Sequence, residues 1–368
     1  LNNTLVLVIM PESFLLSRLL LQFNSETTDI VTDLSAVALT PDGNLWLGSD
    51  ETTSLERLSP VEPHVFGKHQ RFAIADFIEL SEEAGEIDIE GIDFNNDYLW
   101  LIGSHSTKRK KAKGKDPLKD IKKLSQIETD VNRYLLARIP VKEGNLCKSI
   151  PHPENPKTQL TAGCLQRTKT GNLLTDALKD DPHLGLYLSV PIPSKENGFD
   201  IEGLAVRGDR IFIGLRGPVL RGWAIVLEIE VKESKQGVLK LKAIGEAGQL
   251  YKKHFVDLNG LGVRELCFNG EDLIILGGPT MTLSGAMRVF RLRGILGREG
   301  DSISGPDTGD LDVLFDLPFK VGADNAEGLS LFPCLGQPNS LLVVYDSPDA
   351  GRMVEGNAIF ADVFRLGL

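Results

Sequence analysis

One seven-residue pattern recurs along the chain and sets what it can fold into. Its clearest copy is Asp88-Ile89-Glu90-Gly91-Ile92-Asp93-Phe94. A second is Asp200-Ile201-Glu202-Gly203-Leu204-Ala205-Val206, and a third is Asn325-Ala326-Glu327-Gly328-Leu329-Ser330-Leu331. Asp33-Leu34-Ser35-Ala36-Val37-Ala38-Leu39 and Gly262-Val263-Arg264-Glu265-Leu266-Cys267-Phe268 keep the apolar spacing without the Glu-Gly pair. Second, fifth and seventh positions are apolar in every copy. A turn and a second apolar run follow each, at 45–48, 98–102, 210–214, 272–276 and 340–344. Third runs follow in most copies (134–139, 224–231, 287–292, 361–366), and fourth runs lie at 71–78, 251–257 and 311–317. Four short strands per unit, repeated, form the blade of a β-propeller.

The third positions are Ser35, Glu90, Glu202, Arg264 and Glu327, spaced by 55, 112, 62 and 63 residues. The expected fold is therefore all-β, a five-bladed β-propeller forming a single domain over 1–368. The long interval is read as a partly helical, Lys-rich insertion in the second blade, at about 106–196, with a sixth degenerate blade as the alternative. The last unit ends on its third strand. An N-terminal strand at 14–23 is expected to close that blade, which removes open sheet edges.

In such a fold the first strand of each blade lines the central channel. The five third positions are then expected in one ring at one end of it. Three carboxylates in a narrow channel repel, so a cation, a proton or a basic side chain must intervene. Oxygen-only ligands suit Ca²⁺ or Mg²⁺, and the metal reading is a Ca²⁺ site on the propeller axis. Ser35, Glu90, Glu202 and Glu327 are the candidate metal ligands. Arg264 argues the other way, because a guanidinium stays charged, pairs with the glutamates and repels a metal. Loops after the second strands should open on the same face. They bring His105, a candidate general acid or base, and Arg216, a candidate anion clamp within Gly214-Leu215-Arg216-Gly217-Pro218. Asp33, Asp88, Asp200 and Asn325 are expected to cap turns. The glycines Gly91, Gly203 and Gly328 are expected to permit close packing or an unusual backbone angle.

Charge narrows the partners. With 40 basic and 51 acidic residues the net charge is −11, which argues against a nucleic-acid coat. Residues 108–123 run against this balance, with nine basic and two acidic residues, leaving −18 on the rest. The run is read either as a solvated loop or as an attractor of a small anionic substrate. Cys147, Cys164, Cys267 and Cys334 lie far apart, as buried small hydrophobes of a reducing compartment would, with one or two disulfides left open. Residues 5–10 are apolar, but Pro11 and Glu12 follow, no basic stretch precedes and no small-residue cleavage site follows. Met10 is read as an alternative start. The chain is expected to be a cytoplasmic monomer with no membrane contact, the periplasm being the alternative. Walker A, G-x-G-x-x-G, H-E-x-x-H and G-x-S-x-G motifs are absent.

The segments 33–39, 90–94 with 100–105, 193–206 and 262–268 resemble a bacterial family, Domain of Unknown Function 3616. Lys195-Glu196-Asn197-Gly198-Phe199-Asp200-Ile201-Glu202-Gly203 is the most specific stretch. The resemblance covers most of the chain and implies a propeller without an assigned activity. Asp-x-Glu-Gly motifs are also similar to those of esterase-like phytase propellers. The order Ser35, Glu90, Glu202, Glu327 resembles the axial Ca²⁺ ring of calcium-activated nucleotidases, with Arg264 departing from it. These likenesses imply a Ca²⁺-dependent hydrolase of phosphate esters or anhydrides, with Arg264 and Arg216 steadying phosphoryl charge and His105 moving a proton. The alternative is a non-catalytic ligand- or protein-binding propeller in which Arg264 neutralises the ring.

Overall fold

A computed structural model describes residues 14–24, 30–81, 85–245, 248–318, 320–354 and 357–366. The expectations for residues 5–12 lie outside these. The fold is all-β and propeller-like. Each copy of the motif forms an inner strand: Leu34–Leu39, Ile89–Asn95, Asp200–Arg207, Gly262–Asn269 and Asn325–Cys334. Each pairs antiparallel with the next strand in sequence, and that strand pairs with a third. The inner strands pack side by side in sequence order, and Asn325–Cys334 returns to pack on Leu34–Leu39. Leu15–Gln22 runs antiparallel to Ala358–Arg365, joining the two ends of the chain in one sheet.

Burial on both faces explains why these strands do not alternate apolar with polar. Leu45–Ser49 and Tyr98–Gly103 are buried at every position, and Asp200–Arg207 at all but the last. Several strands run longer than the apolar pattern foretold. Arg210–Leu220 continues through Arg216, which therefore sits in a strand and not in a loop. Ser54–Glu62 supplies the third strand that the sequence left unmarked in the first unit. Trp223–Lys235 is 13 residues long. Its first half pairs with Lys252–Asp257 and its second half with Val238–Lys242, which in turn lies parallel to Gly163–Leu165.

The stretch 106–196 is not one excursion. Leu136–Lys142 and Gly163–Leu165 within it continue the sheet begun by Ile89–Asn95 and Tyr98–Gly103. The remainder holds three short helices, Pro117–Leu124, Leu173–Leu178 and Gly185–Ser189. All four cysteines are free. Among the described residues no helix is long and apolar enough to cross a membrane.

Five register shifts place the repeated third position. Leu34 pairs with Ser49 and Ala36 with Gly48, so Ser35 has no partner across the ladder. The same skip falls at Glu90, Glu202, Arg264 and Glu327. Each is the extra residue of a β-bulge, which turns its side chain off the two sheet faces. The glycine that follows answers a second demand. A Cβ at Gly91 would stand 2.6 Å from Leu204 Cβ and 3.0 Å from its backbone nitrogen, and one at Gly328 would stand 3.0 Å from the backbone of Ala36. Neither glycine has positive φ, so close packing and not backbone freedom requires them.

Neighbouring inner strands splay and share no ladder, so side chains satisfy their free backbone groups. Ser35 Oγ donates to Ile89 O (2.5 Å). Asp93 accepts from Val206 N (2.6 Å) and Glu265 from Leu204 N (2.9 Å). Ser330 Oγ accepts from Leu39 N (3.2 Å). Replacing Gly91 by Ala should cost about 1–3 kcal/mol by forcing two inner strands apart. Thermal denaturation measures it; an unchanged melting temperature would show that the close approach is not needed.

Candidate functional site

Two arginines knit the bulge residues together. Arg216 is skipped by its own ladder, since Asp200 pairs with Gly217 and Ile201 with Leu215. Its Nη1 lies 2.5 Å from Glu202 Oε1 and its Nη2 2.7 Å from Asp200 Oδ2. Arg264 reaches Glu202 Oε2 through Nε at 2.9 Å and Glu327 through Nη2. The Nε–Oε2 contact is off the line of the N–H, so it acts as an ion pair without a formed hydrogen bond. Both guanidiniums are nearly buried. Burial works against their charge, but the surrounding carboxylates outweigh it and hold both pKa values above the ordinary arginine value.

Around the rest of the ring such compensation is partial or lacking. Glu90 is raised well above the usual carboxylate range, first by burial and then by Glu202, Asp88 and Glu327. Burial, then Glu327, Asp88 and Asp346, push Asp50 up to about 9. Glu327 is pushed to about 8 by burial, against the pull of Arg264. Asp200 rises to about 7 by burial, against Arg216. Asp88 pairs with Arg133 at 3.0 Å, and Arg133 also holds Glu86 at 3.1 Å. The axis thus has a guanidinium-rich side, built from Asp200–Arg207, Arg210–Leu220 and Gly262–Asn269. Its opposite side, from Ile89–Asn95 with Glu90 and the turn after Leu45–Ser49 with Asp50, is rich in carboxyl groups.

Sequence reasoning brought Glu90, Glu202, Arg264, Glu327 and Arg216 to one place, and the geometry has them there. Ser35 stands on the ring, but its hydroxyl is spent on Ile89 O. His105 faces elsewhere. Its Nδ1 lies 2.7 Å from Gly103 O and its Nε2 2.7 Å from Asn172 Nδ2, so both nitrogens are engaged. Burial lowers its pKa to about 4, which keeps it neutral. The turn-capping expectation for Asp88 and Asp200 gives way to ion pairs with Arg133 and Arg216. Arg133 was not singled out by the motif. It precedes the third strand and carries no repeat signal.

Three of the four residues expected to hold Ca²⁺ have oxygens already engaged. Both Glu202 oxygens face guanidiniums, Arg264 takes one oxygen of Glu327, and Ser35 donates its proton to a carbonyl. A divalent ion among them would stand against two arginines. Among the described residues no group of three or more His, Cys, Asp or Glu side chains is arranged to hold a metal ion.

Above the guanidinium side opens a cavity of about 360 Å³. Arg216, Arg264 and Glu327 form part of its wall, with Lys111, Lys195 and Lys320 also lining it. Lys111 comes from the basic run. In all, five cationic side chains face three carboxylates there, Asp324, Glu327 and Asp346.

A family model described as "Protein of unknown function (DUF3616)" matches residues 33–362. The chain belongs to this family. The match takes in every inner strand of this DUF3616 chain, and with them the bulges and both axial arginines. No curated protein matches it. Among solved structures, it is similar to the PQQ-bound form of aldose sugar dehydrogenase from Streptomyces coelicolor. The identity there is 11%, covering 95% of this chain and 98% of that one at a TM-score of 0.38. It is also similar to virginiamycin B lyase from Staphylococcus aureus, with 10% identity, 95% and 100% coverage and a TM-score of 0.37. Likenesses at this level carry nothing about chemistry.

The raised carboxyl groups fix a direction for pH dependence. A carboxyl with a folded pKa above its unfolded value contributes stability below the unfolded pKa and loses it as pH rises through the folded one. For Asp50 that window runs from 3.8 to about 9, and for Glu327 from 4.5 to about 8. Asp50→Asn should therefore flatten the fall in melting temperature across the alkaline part of this window. An identical pH profile in the variant would contradict the assignment. Arg264→Met should cost about 3–5 kcal/mol in denaturant titrations near neutral pH, because it strands buried carboxylates. A variant as stable as the parent would show that the ring does not need the guanidinium.

Proposed function

We propose that this chain is a five-bladed propeller whose axial cavity binds a small anionic ligand. The observation that carries the reading is the position of Arg264 between Glu202 and Glu327, beside Arg216 between Asp200 and Glu202. The protein's own cations compensate that side of the ring. The excess of cationic side chains at the cavity then favours a phosphate or carboxylate group. The five-blade count rests on five inner strands that close on one another in sequence order. Calorimetric titration with inorganic phosphate at low ionic strength tests the site. Lys195→Ala should weaken binding about threefold and reduce its salt dependence, with the melting temperature unchanged. Wild-type protein that takes up no phosphate under these conditions would remove the reading. EDTA or added Ca²⁺ should leave the melting temperature where it is; a marked shift would restore a metal to the axis.

One observation favours a second reading, hydrolysis of a phosphate ester or anhydride on the axis at Glu90, which does not itself line the cavity. Glu90 is a buried carboxyl raised well above the usual carboxylate range, first by burial and then by Glu202, Asp88 and Glu327, and both guanidiniums feel its charge. Such an acid can give its proton to a leaving oxygen as water adds to phosphorus and the P–O bond breaks, while guanidiniums steady the phosphoryl oxygens. The proton of the attacking water passes to the ring carboxylates. On this reading Glu90→Gln lowers turnover of an aryl phosphate about 100-fold and keeps phosphate binding. Turnover that survives the substitution would place the acid elsewhere.

A further inference from the structure

The helix Pro117–Leu124 is built inside out. Asp116 caps it, accepting from Lys119 N at 3.2 Å, and Pro117 opens its first turn. Its buried residue is Asp120, which accepts from Gly114 N at 2.7 Å and pairs with Lys123 at 2.9 Å. Its apolar stripe, Leu118, Ile121 and Leu124, faces outward, with Leu118 81% and Ile121 66% exposed. A surface helix of a soluble domain turns that stripe inward. Exposing it costs free energy unless something outside the chain covers it.

The surroundings say what covers it. Arg109 Nη1 donates to Leu124 O (2.5 Å) and also holds Glu196, which bridges to Met281. The helix is thereby tied to the loop carrying Met281 and Leu283, on the rim of the axial cavity. Val321 lies between two further rim residues, Lys320 and Gly322, and is 87% exposed. Met281 and Leu283 are exposed as well. Interspersed with these apolar tips are Lys111, Lys113, Lys115 and Lys122, which make no ion pair among the described residues. The rest of the chain is acidic overall, so these unpaired lysines set this face apart in charge, with Asp324 and Asp346 beside them on the rim.

We propose that the face around the axial cavity docks on an anionic lipid surface. Leu118, Ile121, Leu124, Met281, Leu283 and Val321 enter the headgroup boundary, and the lysines engage lipid charge. A protein partner would need a continuous complementary patch. Here the apolar tips stand on three separate segments with lysines between them, an arrangement that suits a fluid interface, where no shape match is required. Long lysine stems reach past buried apolar groups to the headgroups. Surface contact needs no spanning helix, so the proposal departs from the expectation of no membrane contact only in that respect. It does not rest on the anion reading, since uptake of free phosphate is indifferent to Ile121.

The test is flotation with vesicles of phosphatidylcholine containing about one-third phosphatidylserine, against pure phosphatidylcholine. The chain should float with the anionic vesicles alone and release as salt rises. Ile121→Glu and, separately, Leu118→Ser should each weaken binding about tenfold with unchanged melting temperature. Lys113→Ala, Lys115→Ala and Lys122→Ala should each weaken it about fivefold. No flotation at low ionic strength overturns the proposal. So does equal flotation of the Ile121→Glu and Leu118→Ser variants. A lipid-free dimer in sedimentation velocity that Ile121→Glu dissolves also overturns it, in favour of a second copy as the cover. Binding to polyglutamate as tight as to vesicles would overturn it in favour of an acidic protein.

Discussion

Five bulges in five inner strands are the constraint on which the site depends. A strand residue in regular register faces one sheet surface or the other, and in this fold both surfaces are interfaces between sheets. Ser35, Glu90, Glu202, Arg264 and Glu327 escape that choice because their ladders skip them. An unpaired residue on an inner strand turns toward the space the strands enclose. After three of them, Glu90, Glu202 and Glu327, a glycine is the structural partner of the same event, since the backbone beyond the bulge runs against the next inner strand. One short motif therefore encodes a packing contact and a functional group in adjacent positions.

Once five such side chains meet, charge decides the rest. The protein resolves the conflict in two ways at two places. On one side Arg264 occupies a ring position and Arg216 comes from the neighbouring bulge, so Glu202 faces a guanidinium at each oxygen. On the other side Glu90 and Asp50 have no such partner among the described residues, and burial with neighbouring carboxyl groups raises both above the usual carboxylate range. The result is an axis with fixed positive groups facing carboxyl groups that resist ionisation. That asymmetry is the physical basis of the proposed anion site, with Arg216 and Arg264 in the wall of the cavity and Glu90 outside it.

The repeat was legible because its signal is local. Apolar spacing within seven residues, followed by a turn and a second apolar run, survives even where Glu-Gly is lost, as at Asp33–Leu39. The convergence of Glu90, Glu202, Arg264 and Glu327 followed from that repeat together with the geometry of a closed ring. The pairing of Arg264 with two of the glutamates was among the readings of the sequence, but the partners of the aspartates were not legible. Asp88 and Asp200 look like turn caps from their neighbours in sequence, yet their partners Arg133 and Arg216 lie 45 and 16 positions away. His105 follows a second strand as a catalytic residue might. Its left-handed backbone (φ 54°) and the cap residue Asn172 turn it into the core instead. Rotamer and backbone detail of that kind is set by tertiary packing. The outward stripe of Pro117–Leu124 was hidden for a related reason. Its lysines mark a solvated segment in sequence, and only the burial of Asp120 reveals which side of the helix faces the protein.

The cost of this axis is itself informative. Each buried charge loses several kcal/mol of hydration, and a buried ion pair seldom repays that against apolar residues of the same volume. The core shows what the alternative would be, since the second strands Leu45–Ser49 and Tyr98–Gly103 are buried throughout and carry no charged residue. A chain selected for stability alone would continue that apolar packing to the axis. Here Asp50 Oδ1 is buried without a hydrogen-bond partner among the described residues, and Arg216 Nε likewise. Such atoms occur elsewhere in the fold too, but Arg216 Nε and Arg264 Nε belong to side chains that line the cavity, and each is a standing destabilisation. Their place beside a cavity rimmed by lysines is the physical reason to look for a ligand there, where an incoming anion would find donors that the folded chain leaves unused.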